Sequence, residues 1–89
     1  MNSGLGDFIN ITSYTSTEYT FPSDGYAYMS CPSSTSSSIA VRIFGSNGKY
    51  LYLAFNGTYQ YDMVFVKKGM KAKVVAQSGE GQLLFYSII

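Results

Sequence analysis

The sequence predicts an all-β domain, a small β-sandwich of about eight short antiparallel strands. Short runs alternate between two faces with a period of two, as in residues 8–14, 39–44 and 70–76. Turn signals built from Gly, Asn and Pro separate such runs at spacings of about ten residues. No window keeps a helical period beside the many Gly and β-branched residues.

The chain divides into an N-terminal arm or linker, flexible and rich in small residues (residues 1–7), and a single sandwich domain over residues 8–89. In residues 8–14 Phe8, Asn10, Thr12 and Tyr14 oppose Ile9, Ile11 and Ser13, which predicts a first strand at a sheet edge. After Thr15-Ser16 a second strand spans 17–21, and a third spans 26–31. Between them stands Pro22-Ser23-Asp24-Gly25, a β-corner or hairpin turn. Pro22 presets φ for its first corner, and Gly25 accepts a positive φ at its exit. Tyr19 and Phe21 share one face before this turn, and Tyr26 and Tyr28 share one after it.

Residues 32–38 are Pro followed by Ser and Thr without periodicity, a flexible exposed loop expected to be dispensable to folding. In the fourth strand, 39–44, Ile39, Val41 and Ile43 line one face and Ala40, Arg42 and Phe44 the other. Gly45-Ser46-Asn47-Gly48 is a tight turn whose Asn-Gly pair supplies the left-handed conformations a hairpin needs. The fifth strand, 49–55, sets Tyr50, Tyr52 and Ala54 against Leu51, Leu53 and Phe55. Asn56-Gly57 is a second turn pair; residues 58–61 then continue or bulge into a sixth strand at 63–66, and Lys67-Lys68-Gly69 turns into the seventh. That strand, 70–76, points Met70, Ala72, Val74 and Ala76 inward and Lys71 and Lys73 outward, and residues 77–81 form a loop. The last strand, 82–89, is apolar on both faces, with Leu83, Phe85, Ser87 and Ile89 against Leu84, Tyr86 and Ile88. Such a strand is central in its sheet, or one of its faces meets another chain.

A chain of 89 residues holds one core. Domains of this size bury only about 60–65% of the surface exposed on unfolding, so the stability margin is thin. A disulfide within the chain requires two cysteines, and Cys31 is the only one; the chain has no His to join it as a zinc ligand. No cofactor or metal is expected. Cys31 reads as a small buried hydrophobe. Oligomerisation is the support that remains. Composition agrees: 12% of residues are charged, against about 25% in an ordinary soluble domain, beside nine Tyr and six Phe. A net charge of +1 gives no reason to expect nucleic acid, and no apolar run is long enough for membrane insertion as a helix. Lys67, Lys68, Lys71 and Lys73 form the one local excess of charge and read as solvated edge protection.

Enzyme chemistry has little to build on. A Ser or Cys nucleophile needs a base, and there is no His. Asp7, Glu18, Asp24, Asp62 and Glu80 are the carboxylates from which a glycosidase pair would be drawn. Asp24 lies in a turn, where its side chain bonds nearby backbone N–H groups, and Glu80 is flanked by glycines. No catalytic residue is assigned. Tyr50, Tyr52, Tyr59 and Tyr61 gather around the Asn56-Gly57 turn and are the candidate ligand-binding residues. A tyrosine face stacks on a sugar ring or anchors a protein interface; the competing use is to fill the sandwich or a subunit seam.

Three pieces of the chain, in this order, resemble phage tail-fibre and receptor-binding tip domains: the aromatic strand into FPSDGYAYMS, the Ser-rich loop, and FVKKGMKAKVVAQSGEGQLLFYSII. More loosely they are similar to the trimeric jelly rolls of the C1q and tumour-necrosis-factor type. The matching elements are the corner Pro22-x-Asp24-Gly25-Tyr26, a closing aromatic strand, and Val64-Phe65-Val66-Lys67-Lys68-Gly69-Met70, which looks like a V-P-V-K-K-G-D element. Phe65 replaces its Pro and Met70 its acid. The resemblance spans about residues 17–89 and implies a sandwich of jelly-roll type. It further implies a homotrimer on a virion, joined to other virion or fibre proteins and contacting a host-surface saccharide or protein. Leu84, Tyr86 and Ile88 are then the candidate oligomer interface. The reading is a non-enzymatic binding domain. A structural virion protein, such as a capsid decoration or tail-assembly subunit that binds only viral proteins, is the alternative. A small glycan hydrolase is the third.

Overall fold

The computed structural model describes residues 5–88. Among these residues there are eight strands and no helix: β1 (Leu5–Asn10), β2 (Tyr19–Thr20), β3 (Gly25–Cys31), β4 (Ser37–Phe44), β5 (Tyr50–Gly57), β6 (Gln60–Val66), β7 (Lys71–Ser78) and β8 (Gln82–Ile88). They form two four-stranded sheets in the orders β1-β8-β3-β6 and β2-β7-β4-β5, with every pairing antiparallel. The β4–β5 hairpin is the one connection that stays within a sheet; every other passes from one sheet to the other. That wrapping is the jelly-roll order. The thin dimension is 17 Å, as two sheets stacked about 10 Å apart require.

The core lies between the sheets. Ala27, Met29 and Cys31 of β3, Leu83 and Phe85 of β8 and Val66 of β6 meet Ile39, Val41 and Ile43 of β4 and Ala72 and Val74 of β7. Ile11 and Phe21, from the connecting segments, close the ends. Each alternate residue points inward, so the period read in residues 39–44 is the period of burial. Tyr19 packs edge-on to Tyr14 and Phe21, with ring centroids at 5.1 and 5.5 Å. Burial pushes its hydroxyl above the usual tyrosine range, with Tyr14 adding to the shift.

Several boundaries differ from the sequence reading. Strand β1 begins at Leu5, so 5–7 belong to the sheet; the rest of the expected arm, 1–4, lies outside the described residues, as does Ile89. It stops at Asn10 and not at residue 14, because Asn10 Oδ1 accepts from Thr12 N at 3.0 Å and Thr12 Oγ1 at 2.6 Å, which turns the chain. The chain then crosses to the other sheet, where Val74 N donates to the Tyr14 carbonyl at 2.8 Å. Strand β2 shrinks to two residues, although Phe21 still exchanges backbone bonds with Gly69 and Met70.

The Pro22–Gly25 segment is a corner between sheets and not a hairpin. Asp24 accepts from Lys68 N at 2.9 Å through Oδ1 and from Ile88 N at 3.0 Å through its carbonyl, so its partners are distant in sequence. Gly25 does not have the positive φ expected of it. Glycine is required there for space: a Cβ would fall on the Tyr86 carbonyl and come 2.7 Å from the Phe85 ring.

In β7 an extra residue shifts the register between Val41↔Val74 and Ala40↔Ala76, so Val75 bulges and Ala76 is exposed, not inward as its spacing suggested. The serine run is shorter as a loop than it reads. Ser37 and Ser38 open β4, and Ser37 is buried, with Oγ accepting from Glu80 N at 2.9 Å and donating to the Thr35 carbonyl at 3.1 Å. Ser37→Ala leaves the Glu80 N–H without its acceptor and is expected to cost about 1–3 kcal/mol in urea unfolding. Ser34→Ala, at an exposed position, is expected to cost nothing measurable.

Candidate functional site

Antiparallel register places partners on a common face, and on the outer face of the β1-β8-β3-β6 sheet it builds an aromatic surface. One row across the strands is Phe8, Tyr86, Tyr26 and Phe65; the next is Asn10, Leu84, Tyr28 and Met63; the third is Gln82, Ser30 and Tyr61. None of these residues is charged. Ring contacts link them, with centroids 5.6 Å apart for Phe8–Tyr86 and Tyr26–Phe65, and 6.1 Å for Tyr28–Tyr86 and Tyr28–Tyr61. Gln82 Nε2 donates to Ser30 Oγ at 3.0 Å within the third row.

Exposure is uneven across this face. Leu84, at its centre, is buried, and Tyr26, Tyr28 and Tyr86 are half-buried. The exposed apolar groups stand on the two flanks: Phe8 and Ile88 on one, Tyr61, Met63 and Phe65 on the other. Of the candidate interface residues, Tyr86 and Ile88 are therefore open to a partner, while Leu84 is covered by its own chain.

The four candidate tyrosines do not form one platform. Tyr59 and Tyr61 lie at the β5–β6 corner, where Tyr59 takes a left-handed conformation at φ 50°. With Tyr28, Ser30, Pro32 and Gln60 they line a hollow of about 180 Å³ at the end of the aromatic face. Tyr50 and Tyr52 are on the other sheet, at the opposite end of β5, roughly 20 Å away along a strand that rises about 3.3 Å per residue. There they flank Arg42, whose Cζ is 5.1 Å from the centroid of the Tyr50 ring, and Phe44 lies 5.3 Å from that ring.

Arg42 is directly opposite Tyr52 on one side and Lys73 on the other. Its Nε is shut off from solvent and has no hydrogen-bond partner among the described residues. The sequence reading set Arg42 on the outward face of its strand but gave it no role. The signal that finds it is the Asn47-Gly48 hairpin, which fixes Arg42 beside Tyr52 and Phe44 beside Tyr50.

Among the described residues no group of three or more His, Cys, Asp or Glu is placed to hold a metal. Glu18 pairs with Lys71 at 3.9 Å, Asp24 holds Lys68 N, and Asp62 Oδ1 accepts from Met63 N at 2.7 Å. Cys31 is buried in the core. No family model, no curated protein and no solved structure matches this chain.

Proposed function

We propose that this chain is a non-enzymatic binding domain that works as a homotrimer, a tip or adhesion module of a phage tail fibre that contacts a host-surface saccharide or protein. The observation that carries the reading is the uncharged aromatic outer face of the β1-β8-β3-β6 sheet. A second protein surface is the usual cover for an apolar sheet face with exposed aromatic flanks. Its exposed groups stand as two separate flanks, Phe8 with Ile88 and Tyr61 with Met63 and Phe65. Two different patches suit a heterologous contact, in which one flank of each copy meets the other flank of the next; such contacts form a ring when the rotation between copies closes. Three copies make the ring that the tail-fibre resemblance implies. The opposite sheet and the loops then face outward, where a host ligand is met.

Binding to isolated cell-surface saccharides or surface proteins tests the adhesion role. Binding in that assay supports it. Co-assembly with purified particles, and no affinity for host surfaces, would instead assign the chain to the virion structure. Glycan turnover that is lost on replacing a pair of carboxylates would make it a hydrolase.

A further inference from the structure

We propose that the outer face of the β2-β7-β4-β5 sheet carries a site for an acidic sugar, in which Arg42 and Lys73 hold the carboxylate and Tyr50 and Tyr52 stack on the ring. The inference rests on the adhesion reading and names its ligand class.

Four features converge on this site. First, Arg42 and Lys73 are directly opposite on neighbouring strands, a like-charge pair that repels unless an anion lies between. Second, neither Arg42 nor Lys73 has an ion-pair partner among the described residues; the ion pair formed there is that of Glu18 with Lys71. Third, Arg42 is held in place without being satisfied. Its Cζ lies over Tyr50, and its buried Nε has no partner among the described residues. A guanidinium fixed on an aromatic face presents its remaining N–H fork, the geometry that matches a carboxylate. Fourth, the rings beside it are of the right kind. Tyr50 and Tyr52 are both more than half exposed, as Tyr needs to be to receive a sugar ring.

Space for the rest of the sugar lies one row along the sheet from the Arg42–Lys73 pair, at Phe44 and Lys71. Phe44 is opposite Lys71 on one side and Tyr50 on the other, and it opens onto a hollow of about 420 Å³. Gly45, Ser46 and Gly48 of the β4–β5 turn line it with Gly69 and the Glu18–Lys71 pair. Turn backbone, a serine hydroxyl and a carboxylate are the partners that sugar hydroxyls take. The site lies on the opposite side of the sandwich from the aromatic face, so trimer closure leaves it open.

The test is an array that pairs carboxylated glycans with their neutral cores, sialyllactose against lactose and galacturonate trimer against galactose trimer. Binding is expected only to carboxylated members, and to weaken as sodium chloride is raised. Arg42→Gln and Lys73→Gln should each lower affinity at least tenfold, and Lys67→Gln/Lys68→Gln should leave it within twofold. A bound glycan should shift the Arg42 Nε–H resonance in proton–nitrogen spectra. Since Arg42→Gln removes a partly buried group, thermal melts accompany it, and Lys73→Gln repeats the test from a neighbouring strand. Binding of neutral glycans that ignores both substitutions overturns the acidic site and leaves the adhesion reading standing. Acidic-glycan binding that survives Arg42→Gln but is lost in the Lys67/Lys68 variant also overturns it, placing the anion at the β6–β7 turn. Absence of all glycan binding overturns the site, and the saccharide half of the adhesion reading with it.

Discussion

Ile88→Asp is expected to dissociate the proposed homotrimer while leaving each subunit folded. Ile88 ends β8, one of the two inner strands of the aromatic sheet, and is 41% exposed in the single chain, so a carboxylate there remains hydrated in the monomer. In the assembly the same carboxylate would lie against an apolar neighbour. Stripping water from an unpaired charge costs several kcal/mol, more than one interface of a small protein can spare. Tyr86→Asp should be harsher. Tyr86 also packs within its own chain, on Phe8 and Tyr28, so its loss dissociates the subunits and weakens or unfolds each of them. Lys71→Ala removes an exposed ion pair with Glu18 and should leave the mass unchanged. Sedimentation of the three variants beside the unaltered chain separates these outcomes; an Ile88→Asp protein with unchanged mass would place the interface elsewhere.

Gly25→Ala is expected to destabilise the fold by about 3 kcal/mol or more, at the upper end of what overpacking costs. Its new Cβ would meet the Tyr86 carbonyl, which is backbone, and the Phe85 ring, which is core. Neither can move without disturbing the β3–β8 pairing. Gly48→Ala and Gly69→Ala are the controls. Both glycines have positive φ, at 81° and 91°, and open space where a Cβ would go. Those substitutions cost only the left-handed strain of an L-residue, about 1–2 kcal/mol. Urea denaturation of the three variants should therefore rank Gly25→Ala last by a clear margin. Equal effects at all three positions would mean that the corner packs more loosely than its contacts indicate.

The contrast between those glycines shows what was legible in the sequence. Alternation located all eight strands, because a period of two is written directly into residues such as Ile39, Val41 and Ile43. The Asn-Gly pairs marked turns, but not which sheet the chain enters next. Asn47-Gly48 makes a hairpin, whereas Asn56-Gly57 ends a strand that runs on to a corner. The difference lies in the pairing of whole strands, which no dipeptide encodes. Gly25 resembled a turn glycine, and its true constraint is a neighbour about sixty residues further along the chain. Ser37 resembled its neighbours in a polar run until Glu80 supplied the donor that it accepts from. The bulge at Val75 was silent as well, since an extra residue breaks the alternation without changing composition.

The candidate surface was legible in part for the same reason. Tyr86 and Ile88 stood out because their strand is apolar on both faces, a property of one segment. Phe8, Tyr26, Tyr28, Met63 and Phe65 join them only through the β1-β8-β3-β6 order. Four tyrosines close in sequence came apart because β5 carries two of them away on the other sheet. Arg42 gained its significance from cross-strand neighbours on both sides.

Whether the aromatic face is where copies of this chain meet is decided most directly by solution mass. Light scattering coupled to size exclusion at micromolar concentration should return three times the 9.8 kDa of a single chain, about 29 kDa. A mass of 9.8 kDa under those conditions would contradict the assembly, and with it the reading of the aromatic face as a self-association surface.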